Sequence, residues 1–525
     1  MNRPPFIAAA LLLCLLGPLA GGAARAAAEQ IDRNATLNIA YGNRPGTLDP
    51  YLTTNNATSD VDRHIFEELF TINDKFEPVP ELAESYHISG DKLTYTFILR
   101  KGLVFHNGQP LTADDVVASM NRWLAVSTQG KANLPGARFD KLDADTVTLT
   151  LKTPSLITLN ILADVKNIAA IMPAGIIHQA ESDKQPVTEL IGTGPYRLAE
   201  FKQGEYLHLT RFDGYTPRQE PASGLSGKKN AYVKDIYFRY ITDESTRLAG
   251  ALTGEYDLVF NLPKDNIDTL KQAPGIHLYA PASGGSLITY LFNKQTGPFA
   301  DIKLRQAFNL ALDVNSVLVA GYSDPRFFSA DSSLGFPQQV DWYSEAGKPF
   351  YNQHKLDEAR KWVKESGYHG QEVVIIATKE YAELYNLAIV AQQVLKQIGI
   401  KSRLDVYDWP TVLQRRQDPK NFDLCALEFS MRQVLHQYPF LDSRAHFPGW
   451  SNSPDIDGVL DQIKQAPSLK AARPLIDKLH VLTWQYLPVI VLGHTQPDII
   501  AVKNSVQGYD DLIGPILWNV KVNKQ

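Results

Sequence analysis

The residues able to make or break bonds are few, and their spacing fails the known catalytic patterns. Cys425 is the one cysteine beyond the first thirty residues. It sits inside the apolar run Phe422 to Leu427, where a buried strand residue is expected rather than a thiolate nucleophile. Gly224-Leu225-Ser226-Gly227 begins like a nucleophile elbow, but Lys228 stands where the pattern needs glycine. Gly227-Lys228 lacks the upstream glycine of a phosphate loop, and no HExxH helix motif is present. The 12 histidines are scattered, and none pairs with a cysteine at zinc spacing. His436 and His446 are expected to be solvated or hydrogen-bonded surface residues. Asp114-Asp115 open a helix, where carboxylates favour the helix dipole and are not needed as an acid–base pair. What remains is non-covalent chemistry: binding without turnover.

Binding needs a frame, and strand and helix patterns alternate along the chain. Leu37 to Tyr41 reads as a strand, followed by a turn at Gly42-Asn43-Arg44-Pro45-Gly46. Leu93 to Leu99 and Thr146 to Leu151 alternate with period two, as half-buried strands do. Thr112 caps a helix with Asp115 three residues on. Asp301 caps a second, and Leu356, Ala359, Trp362 and Val363 form the stripe of a third, ending at Gly367. From 372 to 428 the order is strand, helix, strand, short helix, strand. The pieces are Val373 to Ala377, Tyr381 to Ile398, Ile400 to Val406 and Phe422 to Leu427. That alternation predicts a parallel sheet flanked by helices, with ligands beyond the carboxyl ends of its strands. The loop after Leu427 is therefore a place to look for a site. A Pro/Gly/Ser-rich stretch at 215 to 228 reads as a surface excursion, and one at 273 to 286 as a domain crossing.

The chain has 525 residues, 44% of them hydrophobic and 21% charged, which is globular composition with room for two or three domains. Its net charge of −5 argues against a nucleic-acid partner, whose affinity is built on basic surface. Arg3, the apolar run Phe6 to Leu16 and Ala26-Ala27-Ala28 have the pattern of a signal peptide spanning 1–28, cleaved before Glu29. Cys14 lies mid-run behind Leu13, so lipid attachment is not expected. With Cys425 then alone, no disulfide forms. No later stretch is long and apolar enough to span a bilayer as a helix.

A long series of residues resembles the family 5 extracellular solute-binding proteins, the peptide and nickel receptors of ABC importers. Pro80-Glu81-Leu82-Ala83-Glu84-Ser85-Tyr86, Tyr95 to Gly102, and Phe105-His106-Asn107-Gly108-Gln109-Pro110-Leu111-Thr112-Ala113-Asp114-Asp115-Val116 carry it most strongly. Thr47-Leu48-Asp49-Pro50, Gly192-Thr193-Gly194-Pro195-Tyr196, Asp243 to Arg247, Gly254-Glu255-Tyr256-Asp257, Pro298 to Asp301, Arg305-Gln306-Ala307 and Leu312-Asp313 follow in the family's order. Most of these have structural readings: Tyr95, Phe97 and Leu99 as core, Gly102 and Gly108 as turns, His106 as a hydrogen-bonding residue.

The resemblance implies an α/β fold, a two-lobed periplasmic binding protein of type II, in the large variant with an additional subdomain in the first lobe. By likeness, 29–70, 190–280 and 489–525 form the main first lobe, 71–189 the added subdomain and 281–488 the second lobe. A solute sits between lobes that close by a hinge. In peptide-binding members an aspartate after the last second-lobe strand holds the peptide's ammonium. The matching positions here are Glu428, Phe429, Ser430, Met431 and Arg432, so a guanidinium stands where the family reads an amine. Arg432 in a closed cleft favours a carboxylate or phosphate, with Glu428 able to pair with it or to face an amine. Asn43, Arg44, Trp409, Tyr290, Asn293 and Lys166 are further candidates by position. The expected protein is a monomeric, non-enzymatic receptor without cofactor or metal site. Its expected ligand is a small peptide-like, anionic solute such as an opine, a modified peptide or an amino-acid conjugate. The receptor hands it to inner-membrane ABC permease subunits with their ATPases. Ordinary di- or oligopeptides and nickel- or haem-type chelates are the alternatives within the class; a secreted peptide or amide hydrolase and a chemosensory adaptor lie outside it.

Overall fold

The computed structural model describes residues 31–523 apart from 282 and 283. The expected signal segment 1–28, with Cys14, lies outside the described residues. Among those residues no helix is long and apolar enough to cross a membrane.

Two sheets organise the molecule. The first is seven-stranded, in the order Ile276–Tyr279, Ile500–Lys503, Leu258–Val259, Thr36–Tyr41, Asp235–Tyr240, Tyr206–Arg211, Tyr196–Lys202. Its central strand is buried from Leu37 onward except for half-buried Asn38, as a strand covered on both faces must be. The second is six-stranded, in the order Phe328–Ser329, Val489–Thr495, Ser286–Phe292, Leu424–Ser430, Val373–Ala377, Ser402–Val406. A four-stranded sheet, Ala83–Ile88, Thr94–Leu99, Thr146–Thr150 and Arg138–Lys141, packs against helix Ala113–Val126, which in turn meets helix Ala174–Asp183. Asp115 ties those two helices together. Its Oδ2 accepts from Thr112 N at 2.9 Å and its Oδ1 from Ala174 N at 2.8 Å.

The chain passes between the large sheets twice. It leaves the first after Tyr279 and enters the second at Ser286; it leaves the second after Thr495 and re-enters the first at Ile500. The second crossing is thus 496–499, not 488–489, because Val489–Thr495 pairs with Ser286–Phe292. An apolar run does not reveal in sequence which sheet will take it. The second sheet is also mixed, not purely parallel. Val373–Ala377 pairs in parallel with Ser402–Val406 and Leu424–Ser430, while Ser286–Phe292 is antiparallel to both of its neighbours. The reason is geometric: a strand that enters the lobe from the boundary and one that returns to it must run in opposite directions. The strand read as ending at Leu427 continues to Ser430.

The motif Gly192-Thr193-Gly194 shows why a motif can be structural. A Cβ on Gly192 would lie 2.1 Å from Ile65 O, and one on Gly194 2.5 Å from His64 O. The glycines are needed for close approach to the end of helix Asn56–Ile65. His106 seals the contact, Nε2 donating to Gly194 O at 3.0 Å and Nδ1 accepting from Gly192 N at 3.3 Å. Burial pushes this imidazole down to about 4, so it stays neutral, as that donor–acceptor pattern requires. Gly192→Ala is expected to lower stability by about 2 kcal/mol or more, read by denaturant unfolding; an unchanged midpoint would refute the close-contact account.

Candidate functional site

Between the two sheets lies a cavity of about 400 Å³. The carboxyl ends of Leu424–Ser430 and Val489–Thr495 open onto it, as does the amino end of Ser286–Phe292. From the first lobe, Asn43 and Lys166 line it; from the second, Trp409, Glu428, Phe429, Ser430 and Arg432 do. The sequence candidates from those two regions therefore converge.

Several of them are engaged with protein rather than facing free space. Arg432 is 3% exposed, and its Nη1 lies 3.2 Å from Oδ1 of Asp164, itself 1% exposed and carried by the opposite lobe. Ser430 Oγ donates to Asn56 Oδ1 at 3.0 Å, also across the boundary. Arg44 is not on the cavity wall; it reaches over the boundary to Glu380 Oε1 at 2.8 Å. Gln433 Nε2 bonds Ala163 O at 2.6 Å, and Gln437 Nε2 bonds Asn160 O at 2.8 Å. These bonds hold the lobes against each other. Phe429 packs into an aromatic cluster with Phe440 and Phe447. Trp409 opens helix Trp409–Arg415, capped by Asp408, and stands edge-on to Tyr381 at 5.0 Å.

Besides Arg44, three candidates lie off the cavity. Met431 is fully buried and its sulfur accepts from Gln338 Nε2. Tyr290 is fully buried, its hydroxyl donating to Leu387 O at 2.7 Å. Asn293 Nδ2 bonds Pro419 O at 2.6 Å and Phe422 O at 2.9 Å. Tyr290 and Asn293 belong to the far end of a strand whose near end, Ser286, meets the cleft. His436 is not at the surface: it is 1% exposed, bonds Leu460 O at 2.9 Å through Nε2, and burial pushes its ring down to about 4. His446, in a left-handed turn, lines the cleft.

Two charge groups shape the cavity. In one, Asp60 gathers Tyr41 Oη at 2.5 Å, Arg63 Nη2 at 3.2 Å and Lys166 Nζ at 3.4 Å, while Lys166 also bonds Ile513 O at 2.9 Å. Burial lowers Lys166 to about 8. Ile513 has φ +53°, an unfavourable conformation for a β-branched residue. Arg63 Nη2, at 2.9 Å from the same carbonyl, helps Lys166 to clamp it.

In the other group, Lys264 is surrounded by carboxylates. Its Nζ lies 2.7 Å from Glu383 Oε1 and over the Tyr322 ring at 4.7 Å. Asp498 and Glu428 act on it electrostatically, and Glu244 acts on Glu383 and Lys264. Tyr322 Oη donates to Glu428 Oε1. Burial pushes Glu428 up to about 7, partly countered by Lys264. Desolvation by the surrounding cleft also raises half-buried Glu244 and Asp498, the latter still exposed to solvent. Neither of these two carboxylates has a hydrogen-bond or ion-pair partner among the described residues. Four carboxylates stand against two cations, the Lys264 ammonium and the Arg247 guanidinium that acts on Glu244 and Glu383, and the excess of carboxylates makes a pole suited to a cation.

Apart from Glu428, this pole was missed in sequence. Asp498 lies in the second crossing, which the sequence places elsewhere. Glu383 opens the helix that follows strand Val373–Ala377, where the carboxyl-end rule would have pointed. Glu244 sits in a motif read as scaffold.

The Arg432–Asp164 contact predicts coupling. A double-mutant cycle of Arg432→Ala and Asp164→Ala should return an interaction of about 1–3 kcal/mol in unfolding free energy; strictly additive singles would refute the pair.

Comparison with known proteins fits this geometry. Residues 77–451 match the family model for bacterial extracellular solute-binding proteins, family 5 middle. A probable peptide ABC transporter periplasmic-binding protein, y4tO, of Sinorhizobium fredii is 27% identical over 94% of each chain. The glutathione-binding protein GsiB of Escherichia coli O1:K1 / APEC is 30% identical over 70% of this chain and 69% of its own. Among solved structures, AgaA of A. tumefaciens R10, in complex with agropinic acid, aligns with a TM-score of 0.80 at 24% identity, covering 94% of this chain and 99% of AgaA. The oligopeptide-binding protein AppA of Bacillus subtilis, in complex with a nonapeptide, aligns at 0.80 with 20% identity, covering 94% of this chain and all of AppA. The chain belongs to the family 5 bacterial extracellular solute-binding proteins, and it is a binding protein of the ABC-importer type rather than an enzyme.

Proposed function

We propose that this protein is an exported receptor that captures a small, peptide-like solute carrying a free ammonium group and delivers it to an ABC importer. It would act as a monomer, handing its ligand to permease subunits driven by ATPases. The observation that carries the ligand class is the carboxylate pole of Glu244, Glu383, Glu428 and Asp498 around Lys264. An ammonium entering there relieves like-charge repulsion among groups that burial already penalises. The cavity, at about 400 Å³, lies in the lower part of the usual range for small-molecule sites, ~300–1,000 Å³, and suits a short solute better than a long peptide. The relatives named for peptide and glutathione binding support the same class.

The preference for an anion that Arg432 suggested loses its cation to Asp164. An opine, modified peptide or amino-acid conjugate stays within this reading when it keeps its ammonium. Isothermal calorimetry with dipeptides, glutathione and their N-acetylated forms tests it. Acetylation should weaken binding about tenfold or more; equal or tighter binding of the acetylated forms would overturn the reading.

The pole also predicts a pH dependence. Glu428 carries charge only above about 7, and a bound ammonium favours that charged form. Affinity for an amine-bearing solute should therefore rise about fivefold from pH 6 to pH 7.5, before the solute's own α-amino group, with a pKa of ~8, loses its proton. Glu428→Gln should flatten the profile over that window; an unchanged slope would assign the titration to another group.

A further inference from the structure

Away from the cleft, the first lobe carries a second hollow, an open surface pocket of about 450 Å³. Two distant segments wall it. One runs from Pro221 to Tyr232, where the Pro/Gly/Ser-rich excursion ends; the other runs from Gln507 to Lys521. Asn519 rivets them together. Its Oδ1 accepts from Asn230 N at 2.9 Å and from Asn230 Nδ2 at 3.0 Å, and its N donates to Asn230 O at 2.8 Å. Asn519 holds φ +68° in doing so, a left-handed conformation that asparagine tolerates. Lys521 is held opposite Gln507 by a short antiparallel pair. The wall is therefore built by the fold.

No acidic residue lines this pocket, and two lysines do. In a chain of net charge −5 that is a local reversal of sign. Lys521 Nζ stands 5.0 Å from the centroid of the Tyr232 ring, and the Arg33 guanidinium stands 5.9 Å from the same centroid. Lys228 is exposed on the wall beside them. Among the described residues none of these three cations has a carboxylate within ion-pairing distance. The carboxylates nearby are committed elsewhere. Glu220, whose carbonyl accepts from Lys228 N at 2.8 Å, gives its side chain to Arg218 at 2.9 Å. Asp213, which feels the charge of Arg33, gives its own to Arg211 at 2.8 Å.

Like charges gathered about one ring repel one another, and contact with the aromatic face offsets only part of that. The remainder calls for an anion. A carboxylate carries one charge in one plane and is best met by a guanidinium fork. A phosphate group carries up to two charges over three oxygens, and separate ammoniums meet it as point charges from different sides. At about 450 Å³ the pocket falls within the ~300–1,000 Å³ of small-molecule sites, so the phosphate can arrive on a carrier such as glycerol.

We infer that this pocket is a second binding site, separate from the cleft, for a phosphate group carried by a soluble ester or by a lipid headgroup. Lys228 and Lys521 hold the phosphate oxygens, and Tyr232 braces Lys521. The site does not depend on what the cleft binds.

Calorimetry on the full chain with glycerol 3-phosphate and with dihexanoyl phosphatidylglycerol, a lipid soluble as monomers, tests this and separates the two sources. At low ionic strength at least one of them should bind with Kd below about 1 mM, and glycerol alone should not. Lys228→Gln and Lys521→Gln should each weaken that binding about fivefold or more, and the double variant should abolish it. Lys470→Gln, which removes an exposed lysine at the start of helix Leu469–Tyr486 outside this pocket, should leave it unchanged. Thermal unfolding of each variant reports whether it folds. A tighter ester assigns the site to soluble phosphates, a tighter lipid to headgroups, and equal affinities to the phosphate itself; all three uphold it. No binding of either probe, equal weakening by Lys470→Gln, or unchanged binding in the double variant overturns the inference. None of these outcomes bears on the cleft, which is tested on amine-bearing solutes.

Discussion

The double crossing between the sheets is the constraint on which the cleft depends. One strand enters the second sheet at Ser286 and another leaves it at Thr495. Both boundary ends sit on the same side, so the two strands must be antiparallel. Leu424–Ser430 runs antiparallel to the entering strand as well. Its carboxyl end is therefore carried to the boundary, and with it Glu428, Ser430 and Arg432. Two short connections, at 280–285 and 496–499, join the sheets, and Asp498 lies in the second. The joint between the lobes and the charge of the site are thus linked by position in the chain.

Charge divides the boundary into two kinds of contact. Arg432–Asp164 and Arg44–Glu380 are ion pairs between the lobes, each made through one hydrogen bond that leaves Arg432 Nε, Asp164 Oδ2, Arg44 Nε and Glu380 Oε2 buried without a hydrogen-bond partner among the described residues. A buried pair of this kind contributes little net stability against its desolvation, but breaking it is costly. Its effect is to fix how the two lobes abut. Around Lys264 the charges themselves are left over: among the described residues Glu244 and Asp498 have no ion-pair partner, and desolvation raises both. Incomplete compensation within a cavity, rather than charge as such, is what distinguishes groups that can recognise a solute from groups that hold the frame.

Much of the frame was legible in sequence because local physics writes it there. Thr94–Leu99 alternates, Asp301 accepts from Lys303 N as a helix cap, and Gly399 adopts φ +84° where the long helix stops. Cys425 is buried in its strand as its apolar neighbours suggested. The site was legible only in part. Asn43, Lys166, Trp409 and Glu428 were reached by position, whereas Tyr290 and Asn293 were placed at the wrong end of their strand. The error has one cause: a strand's identity follows from its pattern, but which end faces the cleft follows from pairing partners hundreds of residues away.

Arg432 shows the same limit in energetic form. In sequence it is a cation at a position expected to meet solute, and its type suggests an anion partner. The structure supplies that partner from the protein itself, through an aspartate 268 positions earlier in the chain. Residue type therefore states what a group can bind, while the bonds it has already formed state what it is free to bind. Lys166 is subject to the same argument, because Asp60 and the strained carbonyl of Ile513 hold its ammonium. Recognition must rest on the groups left over after the fold has satisfied its own, and that remainder is a property of the whole arrangement rather than of any motif.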